Sequence, residues 1–159
     1  MPALERIYSI SFENVTVSAA QDFFAVKASA TNGLAVRRIS LSAGGVTVPA
    51  EIRLRLKRMP VTYTIGSAGS APTVQKMNSL MPFASLSTNA RVNDTTQSTT
   101  SGTAQILMNW QWNVLQDFME VGPTDDERWE CTLSEGLVID CAAAPASTIM
   151  SGTFVFEET

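Results

Sequence analysis

The sequence contains no histidine. That removes the side chain that most often serves as general base at neutral pH, and also the commonest metal ligand. A Ser–His–Asp triad is excluded outright, and no Ser-x-x-Lys motif stands in for it. Cysteine is scarce as well. Cys131 and Cys141 are the only two, too few to make a zinc site alone. Met1-Pro2-Ala3-Leu4-Glu5-Arg6 has an early acid and no apolar run behind it, so it does not read as an export signal. The chain is therefore expected in the cytoplasm that makes it, with two half-buried thiols in preference to a disulfide. The turn near Gly136 leaves their register open. A Glu135-Gly136 turn sets Cys131 against Asp140, whereas a turn centred on Gly136 sets the two cysteines opposite each other. No apolar stretch approaches bilayer-spanning length.

What is present is a period of two. The 159 residues and 17.1 kDa suit a single domain, and 45% hydrophobic residues suffice for a core. Tyr8, Ile10 and Phe12 alternate with Ile7, Ser9 and Ser11, and Ile52, Leu54 and Leu56 alternate with Arg53, Arg55 and Lys57. Such alternation marks strands with one face in a core and the other in water or against a partner. Further strands are expected near residues 14–17, 22–26, 35–41, 61–65, 84–92, 104–115 and 148–157. A hairpin is expected from 129–133 and 137–142. The reading is all-β, a single-domain jelly-roll-like antiparallel sandwich of about eight strands over 1–159. Residues 1–5 form an N-terminal arm, and 66–104 is a loop-rich middle with a short helix conceivable at 74–80.

Charge is uneven along the chain. Residues 1–60 carry eight Lys/Arg against four Asp/Glu, while residues 61–159 carry three against eleven. Few aromatics interleave the basic residues, so nucleic acid is not expected as a partner. A solvated strand face, or a contact between basic and acidic faces of neighbouring subunits, fits better. The candidates are Arg53, Arg55 and Lys57 on one side and Asp125, Asp126 and Glu127 on the other. Those three adjacent acids lack the alternating oxygens of a calcium loop, so no metal is expected. No catalytic residues, no cofactor, no small-molecule ligand and no membrane partner are expected, and the chain is read as a non-enzyme. Trp110 and Trp112 share one strand face. They suit a buried stripe with Ile106 and Met108, or alternatively a sugar-stacking platform on a head fibre or tail.

Two stretches resemble a known group. The opening, Arg6-Ile7-Tyr8-Ser9-Ile10-Ser11-Phe12 through Phe23-Phe24, and the close, Ala144 through Glu158, resemble small structural proteins of tailed bacteriophages. The similarity extends to jelly-roll capsid decoration (cement) proteins. The resemblance implies a homotrimer on the capsid exterior that bridges major capsid subunits, and so a location in the virion. Met1, Pro2, Ala3, Leu4 and Glu5 would then grip the capsid, together with the 66–82 loop around Pro72. It transfers no catalytic residues.

Overall fold

The computed structural model describes residues 6–45, 49–124, 127–143 and 145–159. Along the chain run β1 (Arg6–Val17), β2 (Gln21–Lys27), β3 (Leu34–Gly44), β4 (Glu51–Met59), β5 (Tyr63–Thr64), β6 (Gln75–Lys76) and β7 (Arg91–Asp94). They are followed by β8 (Thr99–Thr100), β9 (Gln105–Asn113), β10 (Phe118–Val121), β11 (Glu130–Cys131), β12 (Gly136–Cys141) and β13 (Thr148–Glu158). They form an all-β antiparallel sandwich. One sheet has the order β10-β3-β13-β1-β6, with β11 also on β3, and the other has the order β7-β2-β12-β4-β9. From β1 to β4, consecutive strands alternate between the sheets.

The inner faces meet through the residues that the alternation picks out. Tyr8, Ile10 and Phe12 of β1 and Phe154 and Phe156 of β13 pack against Phe23 and Phe24 of β2 and Leu54 and Leu56 of β4. The register of β2 on β12 shifts between Ile139 and Asp140. This bulge lets Phe23 and Phe24 both reach the core, where each contacts Phe12, at ring distances of 6.1 and 5.3 Å. It also turns Asp22 away from the core.

The β7-β2-β12-β4-β9 sheet is covered on its outer face too. The segment between β4 and β9 folds back over it, joining β5 to β8. Tyr63 and Ile65 from that segment bury Ala25, Met59 and Val138 in a second small apolar cluster. Double coverage explains why β12, Gly136-Leu137-Val138-Ile139-Asp140-Cys141, is buried at every position instead of alternating.

Three local expectations need correction. Residues 129–133 and 137–142 do not form a hairpin. Glu130 and Cys131 pair with Ala35 and Leu34 in one sheet, whereas β12 is the central strand of the other. Ser134, with φ of 63°, reverses the chain between them. The cysteines therefore belong to different layers, and both are free and fully buried. The 74–80 stretch is not helical, since Gln75 and Lys76 pair with Ser9 and Tyr8. Within 84–94, the regular strand is confined to Arg91–Asp94.

Candidate functional site: interaction surfaces

The densest polar chemistry in the chain is a ladder across the outer face of the β7-β2-β12-β4-β9 sheet. Asp94 on β7 stands beside Asp22 on β2, Asp22 beside Asp140 on β12, Asp140 beside Arg55 on β4, and Arg55 beside Asn109 on β9. All three carboxylates are at most 1% exposed. Buried charges of this kind require partners, and each finds them. Arg55 donates to Asp140 through Nε at 2.9 Å and Nη2 at 2.5 Å, and Lys57 Nζ adds a contact at 2.7 Å. Arg91 grips Asp94 through Nε and Nη2, and the Gly69 N–H donates to the same carboxylate at 2.9 Å. Asp22 accepts the Ser98 N–H at 2.7 Å, and the Gln97 amide reaches both Asp22 and Asp140 at 3.4 Å. Burial raises the Asp22 pKa above the ordinary carboxylate value, against the lowering pull of Ser98.

Chemically this network holds a loop down. Segment 66–98 lies on the ladder through Gly66, Gly69, Gln97 and Ser98, and the bridges Ser67↔Thr96 and Ser70↔Val92 extend that closure to the β7 edge. A cleft of about 540 Å³ at Ser11, Ser40 and Met119 belongs to the other sheet, and one of about 480 Å³ at Pro72, Val74 and Leu86 borders the loop. Neither opens onto the carboxylates. Among the described residues, no group of three or more Cys, Asp or Glu side chains is disposed to hold a metal ion. Burial pushes the Cys131 thiol up to about 12 and raises Cys141 as well, so neither is a ready nucleophile.

The basic strand face therefore has an internal use. Of Arg53, Arg55 and Lys57, the last two converge on Asp140, while Arg53 is exposed and donates to Asn109 at 3.0 Å. The basic early part and the acidic later part of the chain meet repeatedly within the molecule. Arg6 pairs with Glu158 at 2.5 Å and Arg37 pairs with Glu157, while Arg128, itself in the later part, also lies 3.6 Å from Glu157. Glu127 is exposed in the connection between β10 and β11, well along the chain from β4. Asp125 and Asp126 lie outside the described residues, as do Met1, Pro2, Ala3, Leu4 and Glu5. Asp22, Asp94 and Asp140 were not among the residues singled out by pattern. Asp140 had a signal, being a lone charge within an apolar run.

The two tryptophans occupy the mouth between β9 and β10. Trp112 is buried and its Nε1 donates to the Gln116 carbonyl at 2.6 Å. Trp110 is half-buried and meets Phe118 and Trp129 edge to face, at interplanar angles of 68° and 75°. With Phe118 and Trp129 the rings close the core at that end.

At the opposite side, the loop after β6 carries an apolar tip. Leu80 is 80% and Phe83 78% exposed, and Met77 is exposed beside them. The tip is tightly anchored from below. Met81 is buried, Lys76 Nζ donates to the carbonyls of Ser79 and Met81, and the ammonium sits 4.7 Å from the Phe83 ring centroid. The Tyr8 hydroxyl donates to the Pro82 carbonyl at 3.1 Å, and the Met77 N–H donates to the Ile7 carbonyl at 3.0 Å. The tip is thus fixed to the first turns of chain after Arg6. Met77, Leu80 and Phe83 form an exposed apolar group on an anchored loop. No family model, no curated protein and no solved structure matches this chain.

Proposed function

We propose that this chain is a virion structural protein, a homotrimeric decoration (cement) protein that sits on the capsid exterior and bridges major capsid subunits. The observation that carries the reading is the anchored apolar tip of Met77, Leu80 and Phe83. It is pre-organised, so docking orders little additional chain and retains more of the contact energy. The start of β1 lies beside the same loop, where the Tyr8 hydroxyl donates to the Pro82 carbonyl. Pro72 lines the neighbouring cleft, so it belongs to the same side. The ladder of buried ion pairs is a scaffold for this surface and needs no substrate. Stabilisation of the head then follows from mass action: a protein that binds the mature lattice and not its precursor favours the mature state.

Co-sedimentation with capsids of the encoding virus, combined with light scattering, tests this. The expected result is a mass of three 17.1 kDa chains in solution and pelleting with heads that is lost in the Leu80→Asp/Phe83→Asp variant. Indifference of the wild-type protein to capsids would overturn it.

A further inference from the structure

The two lateral sides of the sandwich are finished differently. On one side, β6 and the 66–98 segment cover strand edges. On the other, β9 and β10 end their sheets, and among the described residues no strand pairs with the outer edge of either.

The backbone of β9 presents its polar groups to that open side. The Arg53 carbonyl accepts from Ala142 on the β12 side. Odd-numbered residues of β4 therefore address β12, and even-numbered residues address β9. Ile52 faces Trp112 and Leu54 faces Trp110 across that ladder. It follows that Asn109 and Gln111 direct their N–H and C=O groups outward, and Asn113 its N–H, the Asn113 carbonyl being taken by the Gln116 N–H at 3.0 Å. Natural edges are blunted by charge, proline or short length. This one runs nine residues, about 30 Å. From Gln105 to Leu115 it contains no charge, no proline and no glycine. Its one irregularity is the register shift at Leu107. Around it Ile106 and Leu115 are exposed, with Met119 at 66% and Val121 at 62% on β10.

We propose that this side is the contact between subunits, with a second copy of this chain adding a strand to the β9 edge. This rests on the oligomeric part of the function proposed above and replaces the basic strand face as its contact. Charge and chemistry select a second copy as the occupant. A strand without charge offers nothing to steer a charged partner, while the exposed Gln111 carboxamide carries a donor and an acceptor that suit another carboxamide. The Asn109 and Asn113 side-chain oxygens already accept from Arg53 and Leu115, which leaves their NH2 donors to offer. The flanks carry both signs, Arg53 and Arg58 beside β9 and Asp117 and Glu120 at β10, so a copy brings the complement of each.

Gln111→Pro removes an outward N–H without touching the β4 ladder, and Ile106→Glu places a charge in the contact. Light scattering on folded variants should show the wild-type oligomer falling to single chains of 17.1 kDa. Hydrogen exchange on the wild-type protein is the companion measurement and does not depend on variant folding. The amides of Asn109, Gln111 and Asn113 should slow by about tenfold or more between dilute and concentrated protein. A wild-type oligomer whose mass survives both substitutions, or whose three amides exchange freely, overturns the β9 contact and leaves the trimer standing. An oligomer of another size that dissociates on substitution supports the contact and sinks the trimer. A wild-type monomer at every concentration overturns both.

Discussion

The β6/β7 side and the β9/β10 side of this sandwich solve the same edge problem by opposite means. On the first, a long loop-rich segment folds over the outer face of the sheet, where Arg91 at the β7 edge and, towards the middle of the sheet, Arg55 and Lys57 each find a carboxylate. On the second, charge is absent from the edge strand and apolar side chains stand in water. The closed side is internally satisfied, and removing the cations would leave buried carboxylates unpaired at a cost. The open side has the tryptophan cluster beneath it but leaves its outer backbone edge and the exposed Ile106, Met119 and Val121 to solvent or to the proposed second copy. If the proposed contact holds, stability and association lie on different sides, and substitutions should separate them.

The largest effect is expected at Asp140. Asp140→Ala strands Arg55 and Lys57 over a covered sheet and should cost about 3–5 kcal/mol in urea unfolding. A loss near zero would mean that the ladder does not hold the closed side. Next comes Gly69→Ala, because an added Cβ would lie 2.5 Å from the Asn93 carbonyl oxygen at the point where the loop crosses β7. A loss of about 1–3 kcal/mol is expected, with amide protection lost across 66–98 before the rest. Retained protection there would show that the loop tolerates a looser crossing.

A smaller, pH-dependent effect belongs to Asp22. Folding raises its pKa, chiefly through burial, so the ionised form is disfavoured in the native state. That penalty is absent below the unfolded value of 3.8, grows as pH rises through the folded pKa, and is complete at neutral pH. Asp22→Asn should thus gain on the wild-type protein as pH rises from 3.5 to 7, followed by thermal melts across that range. A gap that does not widen would show Ser98 and the neighbouring cations outweighing burial. The smallest stability change is expected on the open side. Met119→Ser and Ile106→Ser should stay within about 0.5 kcal/mol of wild type in the same melts. A larger loss at protein concentrations that favour association would itself report the contact.

Much of the architecture was legible because strand alternation is a local consequence of the pleat. Tyr8, Ile10, Phe12, Ile52, Leu54 and Leu56 went to the core as their period requires. The Cys131–Cys141 region misled because two short apolar runs flanking a turn signal a hairpin, although nothing local decides whether the second run stays in the same sheet. Asp22 was hidden by the bulge at Phe23, which breaks the parity on which face assignment depends. The basic face of β4 was read correctly as pointing away from the core, but its partner comes from β12, some 80 positions along the chain. The same distance in sequence hid the apolar tip, since Leu80 and Phe83 look like core residues until Met81 takes the buried place between them.

The sequence by itself determined that the chain is all-β, because a period of two over most of its length admits no other regular structure. It also excluded histidine chemistry and kept the edge strand from Gln105 to Leu115 free of charge. Only the tertiary structure decided which charges meet, which layer each short strand joins, and which edges remain open. Those outcomes depend on pairings between residues far apart in the chain, and residue pattern carries no term for that distance.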